Sequence, residues 1–185
     1  MKSYVVLIAG LWAWPLDAAE APNWNDHASP EAAITVAEPV SNEVVVVVNV
    51  NAVGGNHAGL FAGSLLIDPA GSYFGVRGQD KDWRGPTLAD YVRYQTVDGP
   101  KIRLYRFRLP PQTFAGITQR VRDAGSTPPL FCASAVQNLL AGIPPFDAIK
   151  QIGWTTPSAL RHLLDPFTQG VGAAGECQKP DASPC

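Results

Sequence analysis

Charged residues are scarce in this chain: Asp, Glu, Lys and Arg make up 16% of its 185 residues and leave a net charge of -2. They are interspersed rather than blocked, so no field arises of the kind that holds nucleic acid or an anionic membrane surface. Long apolar runs are scarcer still. The run from Tyr4 to Leu16 is too short to span a bilayer comfortably, and no further candidate span follows it. No internal repeat is found. There are three histidines and three cysteines, and none of their spacings matches a zinc site, so neither metal nor cofactor is expected.

What is present suits one core: 46% of the residues are hydrophobic, and the length is too short for two ordinary domains. The start, "MKSYVVLIAGLWAWPLDAAEAP", places Lys2 before the apolar run and small residues at Ala18, Ala19 and Ala21 after it. That is the layout of a secretory signal peptide, predicted over residues 1–19 with cleavage after Ala18 or Ala19. The expected location is therefore outside the cytoplasm, periplasmic or secreted. Oxidising compartments pair thiols. Cys177 and Cys185 lie close together among turn-forming residues in "ECQKPDASPC", so a disulfide is predicted there, leaving Cys132 alone.

Residues 20–42, rich in Ala, Pro and Asn, read as an extended arm in which His27 is solvated. "EVVVVVNVNAV" is dense in β-branched residues and predicts a strand buried on both faces. After Gly54 and Gly55 come "HAGLFAG" and "LLIDPAG", separated by Gly63-Ser64, which predicts a hairpin with His57 at the start of its first strand. Residues 74–100 read mostly as surface loop, with a short helix from Leu88 to Tyr94. "KIRLYRFRL" alternates apolar and basic residues, predicting a half-exposed strand with a wet arginine face. Phe114, Ile117 and Val121 mark a helix, and Cys132, Val136, Leu139 and Leu140 a second one after Pro128-Pro129. A last helix starts at Thr156-Pro157. Residues 168–185 read as a flexible tail.

Three polar residues stand out in this frame. A thiol becomes a nucleophile as a thiolate, which a helix amino terminus stabilises, and Cys132 has that position. Of the histidines, His57 is the best placed as its base, because His27 is in the arm and His162 is mid-helix. Asp68 ends the second hairpin strand and folds back towards His57, where a carboxylate would orient the imidazole.

The order His57 in "NHAGLFAG", Asp68, "FCASAVQNLLAGI" and then "TPSALRHLL" resembles the circularly permuted papain-like superfamily over residues 44–164. That superfamily includes NlpC-type cell-wall amidases and lecithin retinol acyltransferase-like proteins, and "FCASAV" with "DPAGSY" is also similar to its small toxin-like domains. The resemblance implies Cys132 as nucleophile, His57 as base and Asp68 as orienting residue. It implies an α+β domain over residues 43–167 with an antiparallel sheet and packed helices. The expected activity is that of a bacterial thiol hydrolase cutting an amide, with a peptidoglycan peptide as its substrate. An acyltransferase or lipid-cleaving relative, and a non-catalytic binding or inhibitor protein in which Cys132 is core packing, are the alternatives.

Overall fold

The computed structural model of the chain describes residues 36–69 and 71–185. The expected signal segment and most of the expected arm, His27 included, lie outside the described residues. The molecule is α+β, built on a five-stranded antiparallel sheet in the order β3-β2-β1-β4-β5. The strands are β1 (Glu43–Asn49), β2 (His57–Ala62), β3 (Leu65–Ile67), β4 (Ile102–Arg108) and β5 (Gly175–Gln178). Helices α1 (Ser72–Arg77) and α2 (Leu88–Gln95) follow β3, α3 (Pro111–Asp123) and α4 (Cys132–Leu140) follow β4, and α5 (Pro157–Leu164) precedes β5.

The valine run becomes the middle strand because both of its faces are covered. Val44, Val46 and Val48 enter the cluster formed with α3, α4 and α5, whereas Val45 and Val47 enter the cluster formed with α1 and α2. Alternation along a strand thus splits one sequence run between two cores. The hairpin joins β2 to β3 through Gly63-Ser64, with Ala62 opposite Leu65. Gly63 has a φ of 59°, a left-handed conformation that glycine adopts without steric cost. Helix α5 starts where the sequence indicates: the Thr156 hydroxyl accepts the Ala159 N–H at 3.1 Å and Pro157 occupies the first turn.

Three expectations are corrected. The strand "KIRLYRFRL" is not half exposed, since β4 lies between β1 and β5 and its Tyr105, Arg106 and Phe107 are all buried. Arg106 is accommodated by a bidentate pair with Glu43, Nη2 to Oε2 at 2.7 Å and Nε to Oε1 at 3.2 Å, and it also donates to the Ala37 carbonyl at 3.0 Å. A buried guanidinium of this kind has the same two-residue period as a solvated one, so the sequence pattern does not separate them. The supposed tail contributes β5, which pairs with β4 and is closed by the Cys177–Cys185 disulfide. Finally, the stretch read as loop begins inside α1, whose residues 74–77 fall within it.

Candidate active site

The turn before β2 depends on its glycine pair. Gly54 and Gly55 have φ of 82° and 88°, and the Gly54 carbonyl accepts the Ser158 N–H at 2.9 Å. A β-carbon on Gly55 would stand 2.7 Å from that of Pro157. The turn is therefore pressed against the start of α5, and His57 follows it as the first residue of β2.

His57 Nε2 lies 2.6 Å from Asp68 Oδ1, so the hairpin does fold the carboxylate back to the imidazole as the spacing predicts. Asp68 is fully engaged: its Oδ2 accepts the Tyr73 N–H at 2.9 Å and its Oδ1 also accepts the Tyr91 hydroxyl at 3.1 Å. With Nε2 committed to Asp68, Nδ1 is left for the third residue. Cys132 heads α4, unpaired and buried, with its sulfur close enough to the His57 side chain for each to shift the other's titration. The structure brings all three sequence-predicted residues together.

The backbone explains how the sulfur is cradled. Gly63 N–H donates to the Glu43 carbonyl, and the β1–β2 register pairs Glu43's neighbours in steps of one. Hydrogen-bonded and non-bonded pairs alternate in an antiparallel ladder, so Val48 and Ala58 form a non-bonded pair. The Ala58 N–H therefore points away from β1, past the end of β3, and it and the Ala133 N–H both favour the Cys132 thiolate. Burial alone would push this thiol up. The His57 hydrogen bond and charge and the two N–H groups overcome that, so the thiol is held below its ordinary value of 9.0. Burial likewise depresses His57, but its hydrogen bonds and charge interactions with Asp68 and Cys132 prevail and its pKa is pushed up to about 9. Both shifts favour a thiolate–imidazolium pair.

Sequence reasoning misses the residues that hold Asp68. Tyr91 is fully buried, and burial, the charge of Asp68 and their hydrogen bond raise its pKa well above 10, so it remains a donor. It reaches Asp68 by crossing Gly59, where a β-carbon would lie 2.2 Å from its hydroxyl. Helix α2 carries Tyr91 and is fixed at both ends. Glu38 accepts the N–H groups of Leu88 and Ala89 at 2.8 and 3.1 Å, and buried Asn49 reaches Gln95 and Asp98. A glycine inside a strand is the signal that could have pointed to such a close approach.

The chain entering α4 is also shaped. Residues 128–131 form a turn closed by Phe131 N–H to the Pro128 carbonyl at 3.3 Å, with Pro129 second and Leu130 third at a φ of 71°. This is the dihedral pattern of a type II turn with leucine where glycine is usual. Leu130 and Phe131 are both exposed, as is Trp154 in the loop whose Thr155 N–H donates to Ser134 Oγ. An apolar lip thus adjoins the thiol. Among the described residues no cluster of His, Cys, Asp and Glu could hold a metal ion, and no helix is long and apolar enough to cross a membrane. Comparison with family models, curated proteins and solved structures finds no match, so the site is interpreted from its own chemistry.

Proposed function

We propose that the protein is an exported thiol hydrolase that cleaves an amide bond, with peptidoglycan peptides as its substrate class and the permuted papain-like arrangement as its family of designs. The observation that carries this reading is the Asp68–His57–Cys132 constellation: an acceptor at 2.6 Å on one imidazole nitrogen, and on the other side a buried thiol at a helix start with a lowered pKa. Cys132 attacks the carbonyl carbon as thiolate, forming the carbon–sulfur bond while the carbonyl oxygen takes the electron pair. The His57 imidazolium protonates the leaving amine as the tetrahedral adduct collapses. Water, deprotonated by His57, then releases the acyl group and restores the thiol. Asp68 holds the ring and stabilises its charge throughout. The Cys132 N–H, in the first turn of α4, supplies one donor to the oxyanion.

The export signal and the Cys177–Cys185 disulfide support a location outside the cytoplasm. The lip of Leu130, Phe131 and Trp154 favours a second reading, an acyl-ester or lipid substrate in the same chemistry. Digests of purified sacculi, phospholipids and acyl esters, each with wild type and Cys132→Ala and followed by mass spectrometry, separate the two. The inhibitor or binding-protein alternative expects Cys132 to resist iodoacetamide in the native state. Native-state alkylation well below pH 8.5 that is lost in His57→Ala supports the enzyme; identical profiles in the two proteins refute it.

A further inference from the structure

We propose that the open edge of β3 is a main-chain docking slot, in which one extended residue of a peptide pairs with Leu66 and is held against residues 124–127, so that the peptide's continuation, about three residues further along, reaches the level of Cys132. This deepens the peptide-hydrolase reading and rests on it for the chemistry at the end of the slot.

The direction of the β3 backbone follows from the hairpin. A two-residue connection is closed by a hydrogen-bonded pair, here Ala62 with Leu65, so Leu60 with Ile67 is the next bonded pair. Leu66, between them, turns its N–H and C=O away from β2 to the sheet edge, where no strand follows among the described residues. Facing this edge, residues 124–127 run on from α3 without regular structure. The backbone groups of Gly125, Ser126 and Thr127 make no backbone hydrogen bond with other described residues. Two hollows of about 330 and 460 Å³ lie here and share Ile67 and residues 124–127. They form one groove flanked by main-chain donors and acceptors on two sides, the setting in which an added strand docks.

The groove's charges are already engaged. Arg120 donates to the carbonyls of Leu139 and Ala141, and Asp123 accepts from Gln119. Recognition therefore falls to the backbone. One of the hollows extends along the edge to Asp68 and Pro69. Continuing the β2–β3 register sets Asp68 opposite Gly59 and Pro69 opposite Ala58, and the Ala58 N–H faces the Cys132 sulfur. The sulfur thus occupies the column that β3 would fill had Pro69 not ended it, and a segment docked on the edge runs alongside at the usual strand spacing of about 4.8 Å. Because β3 offers only one outward N–H and C=O couple, the slot grips a single peptide residue. Short stems with unusual side chains or D-residues elsewhere would be accepted on the same terms.

The test uses the full chain carrying Cys132→Ala and, as probe, the soluble muropeptides of a muramidase digest of bacterial sacculi. Backbone NMR should show the Leu66, Gly125, Ser126 and Thr127 amides shifting on titration, and exchange of the Leu66 amide slowing at least tenfold at saturation. A β-carbon on Gly125 meets nothing within 4 Å, so Gly125→Trp leaves the fold intact while obstructing the groove. It should raise the half-saturating concentration at least tenfold, yet leave the alkylation rate of the native thiol within twofold. Shifts that spare Leu66, no shifts at all, or an unchanged half-saturation in Gly125→Trp each overturn the slot. Failure of the thiol chemistry is seen separately, as a native Cys132 that iodoacetamide does not modify.

Discussion

Replacing Gly59 with alanine tests whether Tyr91 is braced against Asp68 by a backbone made bare for it. Elsewhere in a strand, glycine to alanine gains roughly 0.5–1 kcal/mol, so the sign of the effect is itself informative. Here the new methyl would stand 2.2 Å from the Tyr91 hydroxyl and 2.8 Å from Cζ, against ordinary contacts of about 3.5 Å. The ring cannot simply retreat, because Tyr91 packs edge-on against Phe61 and Tyr73 at centroid distances of 5.7 and 5.1 Å. Overpacking costs about 1–3 kcal/mol, and losing a hydroxyl bond to a carboxylate costs about 1.5–3 kcal/mol. After the glycine gain, Gly59→Ala should destabilise by about 2–5 kcal/mol in denaturant melts. The Tyr91→Phe background removes the clashing oxygen, so Gly59→Ala should cost about 1–3 kcal/mol less there. Because Asp68 loses a supporting partner, alkylation of Cys132 near pH 6.5 should also slow about tenfold in either single variant. A Gly59→Ala protein as stable as its parent, or equal cost in both backgrounds, refutes the reasoning.

Turnover and alkylation should part company at high pH: with His57 pushed up to about 9, turnover falls above that value as the proton for the leaving amine is lost, while iodoacetamide alkylation does not fall. Parallel profiles of the two rates would contradict the assignment of His57. Asp68→Asn keeps the acceptor for Tyr73 N–H in shape but removes the charge on His57, so turnover should drop about 10²–10⁴-fold, with a soluble folded protein by circular dichroism; unchanged turnover removes Asp68 from the site. Leu130→Gly should leave stability unchanged or raise it by up to about 1 kcal/mol, since the left-handed turn at a φ of 71° costs leucine about 1–2 kcal/mol and glycine nothing. A loss above 1 kcal/mol on thermal melting would mean that the exposed leucine packs.

Elements set by local rules were legible in the sequence. The valine run, the Gly63-Ser64 hairpin, the Thr156-Pro157 helix start and the pairing of Cys177 with Cys185 each follow from residues within a few positions of one another. The positions of His57, Asp68 and Cys132 were legible because each has a local marker: a strand start, a hairpin end and a helix start. What escaped depends on distant partners. Arg106 is buried only because Glu43, 63 positions away, meets it, and residues 175–178 become a strand only because β4 has a free edge. Tyr91 falls in the short helix expected from Leu88 to Tyr94, and nothing near it in sequence announces Asp68 at a separation of 23.

Asp68 has a fully buried side chain and that of His57 is 13% exposed, and burying such groups opposes folding unless partners compensate. The sign of that compensation is set by His57. Its folded pKa of about 9 exceeds the ordinary 6.5 of the side chain, so its contribution is complete below about pH 6.5 and disappears as pH rises through 9. By linkage this is on the order of 3 kcal/mol. Part of it comes from the thiolate and part from Asp68. Cys132→Ala should therefore lower the His57 pKa, read by NMR of the imidazole, yet leave it above the 6.5 of a free side chain because the Asp68 bond persists. An inert Cys132 would leave the titration of His57 where it is. A core that only needed filling would be served at least as well by apolar residues at all three positions. Polar groups retained at this density, each with its donor or acceptor matched, fit a site organised around a reactive sulfur.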